Sequence, residues 1–470
     1  MTSARIAVLG MGRSGISVAK AALKIGANPV VYDESPAEDK GTAEALEELR
    51  KAGIEGVAGW DGAFTREAGE FVVISPGVPM RHPKLLRAVE EGFEILSEIE
   101  FAYRIAKAPI VGITGTNGKS TTTVMTWLCL KAAGVDAVLC GNIFGSGYEE
   151  VPLTQAAAES GPGQVLVAEI SSFQLEWVRD FRPRAAAITN ITPDHLNRYR
   201  SFEEYADVKR RIFRNMGEGD VAVWHAGDGL TEPPRAGEFD VLRFGGEGAD
   251  AFETADDLYI LGERLPKREL PWSESHNYRN AMCAGLLAEG SLRRLWVQPP
   301  PAAREKSYPS QESKDPHPSS PVSRGLASFR GLSHRMETLG ERGGVKVVNN
   351  SMCTNPGALV SSSSSISAPQ RILVGGVTKD LDFAPVRAYL DGTPHAAYVF
   401  GSDAHKINGQ LGGRWPVLKT MREAFELASK DSRPGDVILL APGAASTDQF
   451  EDFRDRGEAF RRMAKEWLDT

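Results

Sequence analysis

Short apolar runs recur along the chain, most of them followed by a stretch in which apolar residues return every three or four positions. RIAVLG, NPVVYD and FVVIS begin the series, APIVGIT, QVLVAEI, AAAITN and DVAVW continue it, and VKVVNN, RILVGG, AAYVFG and DVILLA close it. The runs are rich in Val and Ile and apolar throughout rather than alternating, which predicts strands covered on both faces. Such strands separated by amphipathic helices predict an α/β fold built on parallel sheets. Breaks in the pattern suggest boundaries. One helix ends near FAYRIAKAP, and QPPPAAREKSYPSQESKDPHPSSP is too rich in Pro and Ser to bury a core. That segment, about 297–323, is expected to be a flexible insertion, and SSSSS at 361–365 a weak helix after Pro356.

Composition narrows the class. With 470 residues, about three domains are expected. Apolar residues make up 41% and charged residues 25%, as in an ordinary soluble protein, and the net charge is −8. That balance argues against nucleic acid or an anionic membrane as the main partner. No apolar run approaches the ~20 residues of a membrane span, and MTSARIAVLG lacks the pattern of a secretion signal, so a cytoplasmic protein is expected. The four cysteines show no metal-ligand spacing; three lie in apolar stretches and Cys353 in a polar one.

Four places carry chemistry. Gly10, Gly12 and Gly15 have GxGxxG spacing between a strand and a helix, and Asp33 ends the next strand. The pattern suits NAD(P), another diphosphate or a plain tight turn equally. GITGTNGKST resembles a phosphate loop, but Ile113 stands where the first glycine of the usual spacing would fall. Its glycines let backbone N–H groups converge on an anion, Lys119 adds positive charge, and Ser120 and Thr121 add hydroxyls. Glu169 ends QVLVAE, at the strand edge where a carboxylate can hold Mg²⁺. His195 follows AAAITN and reads equally as a ligand or as a hydrogen-bonded structural residue. Lys209 lies on or beside the apolar stripe of Phe202, Tyr205, Ile212 and Met216, whereas Arg210 and Arg211 turn toward solvent. An inward lysine needs a partner or a neutralised charge, unless it snorkels.

Taken together, GTNGKST, EISSFQLE, TPDHLNRY, HNYRNA, GLSHRMETL and APGAASTDQFEDFRDRGEAF resemble the Mur ligase family, ATP-dependent amide-forming enzymes of peptidoglycan precursor synthesis. VLGMGRSG and the last two stretches resemble the members that add D-glutamate to UDP-N-acetylmuramoyl-L-alanine. The resemblance covers nearly the whole chain except about 290–325. It implies a Rossmann-like domain at 1–105, a central P-loop ATPase-type domain at 106–331 and a Rossmann-like domain at 332–470.

Gly12, Arg13, Ser14, Gly15, Asp33, Ser75, Gly77 and Asn142 would hold the UDP substrate. ATP would meet Gly115, Thr116, Asn117, Gly118, Lys119, Ser120 and Thr121, with Asn277 and Asn280 at the adenine and Arg335 at the site's edge. Ser120, Glu169, His195 and a carbamylated Lys209 would hold Mg²⁺, with two ions expected. Lys119, His195 and Lys209 would be the catalytic residues, and Thr354, Lys379, Ser446 and Phe453 would receive D-glutamate. The implied chemistry is an acyl phosphate attacked by an amine, in a monomer that neither enters a membrane nor binds nucleic acid.

Two features depart from the family pattern. Asn350 and Met352 stand where an aspartate and a lysine are usual, and 291–323 replaces a compact helical stretch. Three rival readings follow: an NAD-dependent oxidoreductase, a Mur-type ligase for another amino acid, and an inactive relative. The first leaves Lys119, Glu169 and His195 without a role.

Overall fold

The computed structural model describes residues 4–65, 69, 71–195, 198–234, 237–246, 248–294, 320–378 and 381–470. The chain divides into two compact units, Met1–Phe144 with Tyr148–Arg330, and Gly145–Gly147 with Gly331–Thr470.

The first unit holds two sheets. The N-terminal one contains β1 (Arg5–Leu9), β2 (Asn28–Tyr32), β3 (Glu55–Val57), β4 (Phe71–Ile74) and β5 (Glu94–Ser97). Their order is β3-β2-β1-β4-β5 and every pairing is parallel. Strand order reverses between β1 and β4, which opens a crevice beyond their C-terminal ends. Helices α1 (Arg13–Lys24), α2 (Lys40–Lys51) and α3 (Pro83–Glu90) connect the strands, and α4 (Glu98–Ile105) leads onward. Continuous burial of Ile6, Ala7, Val8 and Leu9 matches the prediction of a strand covered on both faces.

The second sheet has ten strands: β6 (Ile110–Thr114), β7 (Asp136–Gly141), β8 (Glu150–Val151), β9 (Gln164–Glu169), β10 (Ala185–Ile188), β11 (Val221–His225), β12 (Asp240–Phe244), β13 (Ala251–Glu253), β14 (Asp257–Ile260) and β15 (Glu263–Pro266). Their order is β15-β14-β13-β12-β11-β10-β6-β9-β7-β8, with β6 central between β9 and β10. Helices α5 (Lys119–Ala132), α6 (Leu153–Glu159), α7 (Ser172–Leu175), α8 (Phe202–Arg210), α9 (Ser275–Arg293) and α10 (Pro321–Ser328) belong to this region. Residues 321–323, expected in a flexible insertion, instead begin α10; residues 297–319 of that expectation lie outside the described residues. Helix α10 sits so close to α5 that a Cβ on Gly325 would come 2.4 Å from the Cys129 Cα.

The second unit holds the sheet β16-β17-β21-β18-β19-β20. Its strands are β16 (Glu337–Arg342), β17 (Val345–Asn349), β18 (Gln370–Gly375), β19 (Ala396–Phe400), β20 (Val417–Leu418) and β21 (Val437–Leu440). Helices α11 (Pro356–Ser363), α12 (Ala384–Leu390), α13 (Ala404–Gln410), α14 (Met421–Asp431) and α15 (Phe453–Leu468) accompany it. Two clusters of buried side chains cover opposite faces of the sheet, one around Ile372 and Val399, the other around Leu373 and Phe400.

The sheets are parallel, as expected, except at two margins. Strands β13, β14 and β15 pair antiparallel, as do β16 and β17. Leu261 (φ 51°) and Gly262 (φ 88°) join β14 to β15, and Gly343 (φ 57°) and Gly344 (φ 77°) join β16 to β17. Two successive positive φ angles form the tight hairpin turn that matches strand twist. Cys353, although in a polar stretch of sequence, is buried like the other three cysteines, and burial pushes its thiol up to about 12.

Candidate active site

The phosphate loop runs from the end of β6 into α5. Gly115 has φ 147° and Gly118 φ 79°. A Cβ on Gly115 would come 1.9 Å from the Thr189 Oγ1, and one on Gly118 would come 2.3 Å from the Asn280 Oδ1. The glycine spacing is therefore set by the close approach of Thr189 and Asn280. Residues after β10 clamp the loop. The Thr189 Oγ1 donates to the Asn117 carbonyl (2.6 Å), the Asn117 N–H donates to the Asn190 Oδ1 (3.0 Å), and the Thr116 N–H donates to the Asn190 carbonyl (2.9 Å). The Thr116 and Tyr205 hydroxyls lie 3.0 Å apart. Lys119 curls back over the loop, its Nζ donating to the Thr116 carbonyl at 2.9 Å, and Ser120 and Thr121 are buried in the first turn of α5.

Beside the loop stands a cluster with unusual electrostatics. Glu169 is 3% exposed; its Oε1 accepts from the Asn142 Nδ2 at 3.0 Å, and its buried Oε2 has no hydrogen-bond partner. A carboxylate oxygen without a partner at that depth calls for a cation. Lys209 is 2% exposed, and its Nζ donates to the Gly115 carbonyl at 2.8 Å. Burial holds its amine well below the usual lysine value; nearby Lys119 acts in the same direction, against Asp194 and Glu169. Burial also lowers the pKa of His195, with Lys209 and Lys119 adding to the effect and Asp194 opposing it. His195 has φ 53°, a costly conformation for a non-glycine residue, and its ring lies 4.8 Å from that of Phe173. Among the described residues, no group of three or more His, Cys, Asp or Glu side chains could hold a metal ion. A cation here needs mixed donors. The unpartnered Glu169 oxygen and the Ser120 hydroxyl are hard oxygen donors of the kind Mg²⁺ takes.

At the N-terminal crevice, Gly15 packs so tightly that a Cβ would fall 1.9 Å from the Gly10 carbonyl oxygen, whereas Gly12 faces open space. The Asp33 Oδ2 accepts from the Met11 N–H (2.7 Å) and its Oδ1 from the Ser35 N–H (2.9 Å). Burial works against the Asp33 carboxylate, yet these backbone bonds leave its pKa below the usual value. Asp33 thus braces the β1–α1 turn. The Ser75 Oγ donates to the Gly10 carbonyl (3.1 Å), and the Val78 N–H closes a turn onto the Ser75 carbonyl (3.0 Å) with Gly77 exposed in it. The Arg13 guanidinium lies 4.2 Å over the Phe144 ring, and Ser14 is half-buried at the start of α1.

Asn277 and Asn280 separate in role. Asn280 is buried against Gly118 and Thr122, while Asn277 bonds Glu274 at the start of α9. Arg335 belongs to the second unit, in a bridge with Leu332. In that unit Thr354 is exposed just before α11, Ser446 is buried at 4% exposure, and Phe453 begins α15. Lys379 lies outside the described residues. Arg210 and Arg211, expected to face solvent, are half-buried: Arg210 donates to the Leu230 carbonyl and Arg211 to the Glu176 carbonyl. Helix α8 ends at Arg210, and Arg211–Phe213 tighten into a 3₁₀ turn, which changes the direction expected from an uninterrupted helix.

Comparison with known proteins identifies the family. The Mur ligase middle domain matches residues 113–288, the Mur ligase MurD-like N-terminal domain residues 4–97, and the Mur ligase glutamate ligase domain residues 334–444. The chain belongs to the Mur ligase family. It is 34% identical to the UDP-N-acetylmuramoylalanine--D-glutamate ligase of Caldanaerobacter subterraneus subsp. tengcongensis, covering 97% of each chain. It is also 34% identical to the ligase of that name from Salinibacter ruber, covering 99% of this chain and 98% of that one. MurF of Thermotoga maritima, solved in complex with ADP, shares the fold at a TM-score of 0.54 and 15% identity, covering 94% of this chain and 95% of its own.

Within this Mur ligase, Asn350 and Met352 occupy different settings. Asn350 is 5% exposed, accepts from the Met336 N–H (3.3 Å) and donates to the Ser362 Oγ (2.9 Å), so its amide is used in holding α11. Met352 is half-buried, and its N–H donates to the His334 carbonyl at 3.1 Å. Sequence reading passed over Arg456, which is completely buried. It donates to the Ser351 Oγ and carbonyl and to the Ala444 carbonyl at 2.9–3.0 Å. Its only sequence signal was an arginine inside the apolar period of APGAASTDQFEDFRDRGEAF.

Proposed function

We propose that this Mur ligase joins D-glutamate to UDP-N-acetylmuramoyl-L-alanine at the expense of ATP, in peptidoglycan precursor synthesis. The observation that carries this reading is the near-complete match to relatives named for that activity. The cluster of Lys119, Glu169, His195 and Lys209 supplies fitting chemistry. The phosphate loop and Lys119 bind the terminal phosphates of ATP. A carboxylate oxygen of the UDP substrate bonds to the γ-phosphorus as the bridge to ADP breaks. The D-glutamate nitrogen then bonds to the acyl carbon, phosphate leaves, and the nitrogen gives up a proton. Bound Mg²⁺, held by Ser120, Glu169, His195 and a carbamate on Lys209, would neutralise phosphate charge.

Lys209 is suited to carbamylation because its lowered pKa supplies the neutral amine. The nitrogen bonds to the carbon of CO₂ and releases a proton, so a buried base becomes an anion. Gly12, Arg13, Ser14, Gly15, Ser75, Gly77 and Asn142 are assigned to the UDP substrate, and Thr354, Ser446, Phe453 and Lys379 to D-glutamate. Asp33 acts on the UDP substrate through the turn it braces. The reading places a monomeric enzyme in the cytoplasm; among the described residues, no helix is long and apolar enough to cross a membrane.

The test is phosphate release with ATP, Mg²⁺ and UDP-N-acetylmuramoyl-L-alanine, adding D-glutamate, L-glutamate or other amino acids singly. Dependence on D-glutamate is expected, with Met352 tolerated. Dependence on another amino acid overturns the substrate assignment, and no release with any of them overturns the enzyme.

A further inference from the structure

Arg198 does something that the ligase chemistry alone does not require. Its guanidinium grips Glu176 with both arms, Nε to Oε1 and NH2 to Oε2, each at 2.7 Å. The NH2 group also donates to the Val78 carbonyl at 2.8 Å, and NH1 reaches the Gly77 carbonyl at 3.4 Å. These carbonyls belong to the turn beyond β4, at the nucleotide crevice. The guanidinium lies 4.0 Å over the Phe173 ring, which also contacts His195. The Arg198 N–H closes the His195 turn, donating to the His195 carbonyl at 2.9 Å. Glu176 is 0% exposed through its side chain and Arg198 only 12%, so this is no solvated surface pair. A parallel tie runs from Arg81, just past the same turn, to Glu204 on α8, the helix that carries Lys209.

We infer that Arg198 is a positioning residue that fastens the 75–78 turn of the UDP crevice to the His195 loop, so that the two segments shift together. Only a planar fork satisfies two carboxylate oxygens and a carbonyl while stacking on a ring; a lysine ammonium does not. The functional half of this inference rests on the proposed ligase reading, because it assigns UDP to the turn and Mg²⁺ to the loop.

The test is Arg198→Lys in the full chain, which keeps the positive charge beside Glu176. In hydrogen exchange, amides of 75–80 and 189–195 should both exchange at least about fivefold faster, with the rest of the first unit within about twofold of wild type. Loosening of one segment alone, of neither, or of the whole unit equally overturns the clamp. In steady-state assays, the KM for UDP-N-acetylmuramoyl-L-alanine and the half-saturating Mg²⁺ concentration should both rise about tenfold, with the KM for D-glutamate within about twofold. A rise in only one, or a fall in kcat alone, overturns the positioning role. If the wild type releases no phosphate with D-glutamate, the ligase reading fails and the exchange measurement alone decides the clamp. Should Arg198→Lys not fold, Phe173→Leu, which removes the stacking face, is read by the same measurements and criteria.

Discussion

Gly12 and Gly115 look alike in sequence, but their surroundings set different consequences for a methyl group. Gly12 has φ −71° and open space at its Cβ position. Gly12→Ala should leave the melting temperature within about 1 °C of wild type while raising the KM for the UDP substrate. At Gly115, φ is 147° and a Cβ would meet the Thr189 hydroxyl at 1.9 Å. Gly115→Ala should cost roughly 1–3 kcal/mol in strain and abolish phosphate release; thermal unfolding and the release assay check both.

Lys209 makes a pH prediction. Its folded pKa is depressed, so between that pKa and the ordinary lysine value of about 10.4 the unfolded chain holds a proton that the folded chain lacks. Stability from this group is fully present above about 10.4 and is lost as pH falls toward the folded pKa. In CO₂-free buffer, wild type should therefore gain on Lys209→Met between about pH 7 and about pH 10, as read by the difference in melting temperature. Carbon-13 bicarbonate should add a carbamate resonance to wild type and none to the variant.

At the scale of elements, two helices brace loops that they do not themselves form. Helix α9 sets Asn280 against Gly118, and α15 sets Arg456 beneath the loops at 351 and 444. Burial lowers the Arg456 pKa to about 10, still above neutral, so its charge is kept and shared among three oxygen acceptors. Arg456→Met strands those acceptors and should destabilise the second unit by about 3 kcal/mol. It should raise the KM for D-glutamate and leave UDP-substrate binding unchanged, which denaturant unfolding and calorimetric titration would show.

At the scale of the whole molecule, the division into two units separates the expected kinetic effects. Ser446→Ala, in the second unit, should raise the KM for D-glutamate about tenfold and leave the affinity for UDP-N-acetylmuramoyl-L-alanine unchanged. Equal weakening of both substrates would count against assigning the amino acid to that unit.

Much of this architecture was legible in the chain itself. Continuous Val- and Ile-rich runs fixed the buried parallel strands, because strand burial and backbone preference act over a few residues. The glycines around Lys119 marked the loop for the same local reason. The Gly343–Gly344 turn was also legible and was passed over; Leu261–Gly262 was not, since leucine gives no hint of a positive φ. Other features depended on the tertiary structure. That Lys209 reaches Gly115 and that one oxygen of Glu169 is left without a partner depend on β6 lying between β9 and β10, and Asn280 fills the hollow at Gly118 because α9 packs on α5. Sheet order brings together residues far apart in the chain, and local periodicity carries no record of that order. The residue types and chemistry at the site were therefore determined by the sequence, whereas the orientation, burial and unmet charge that make it a site were decided by the packing of distant strands.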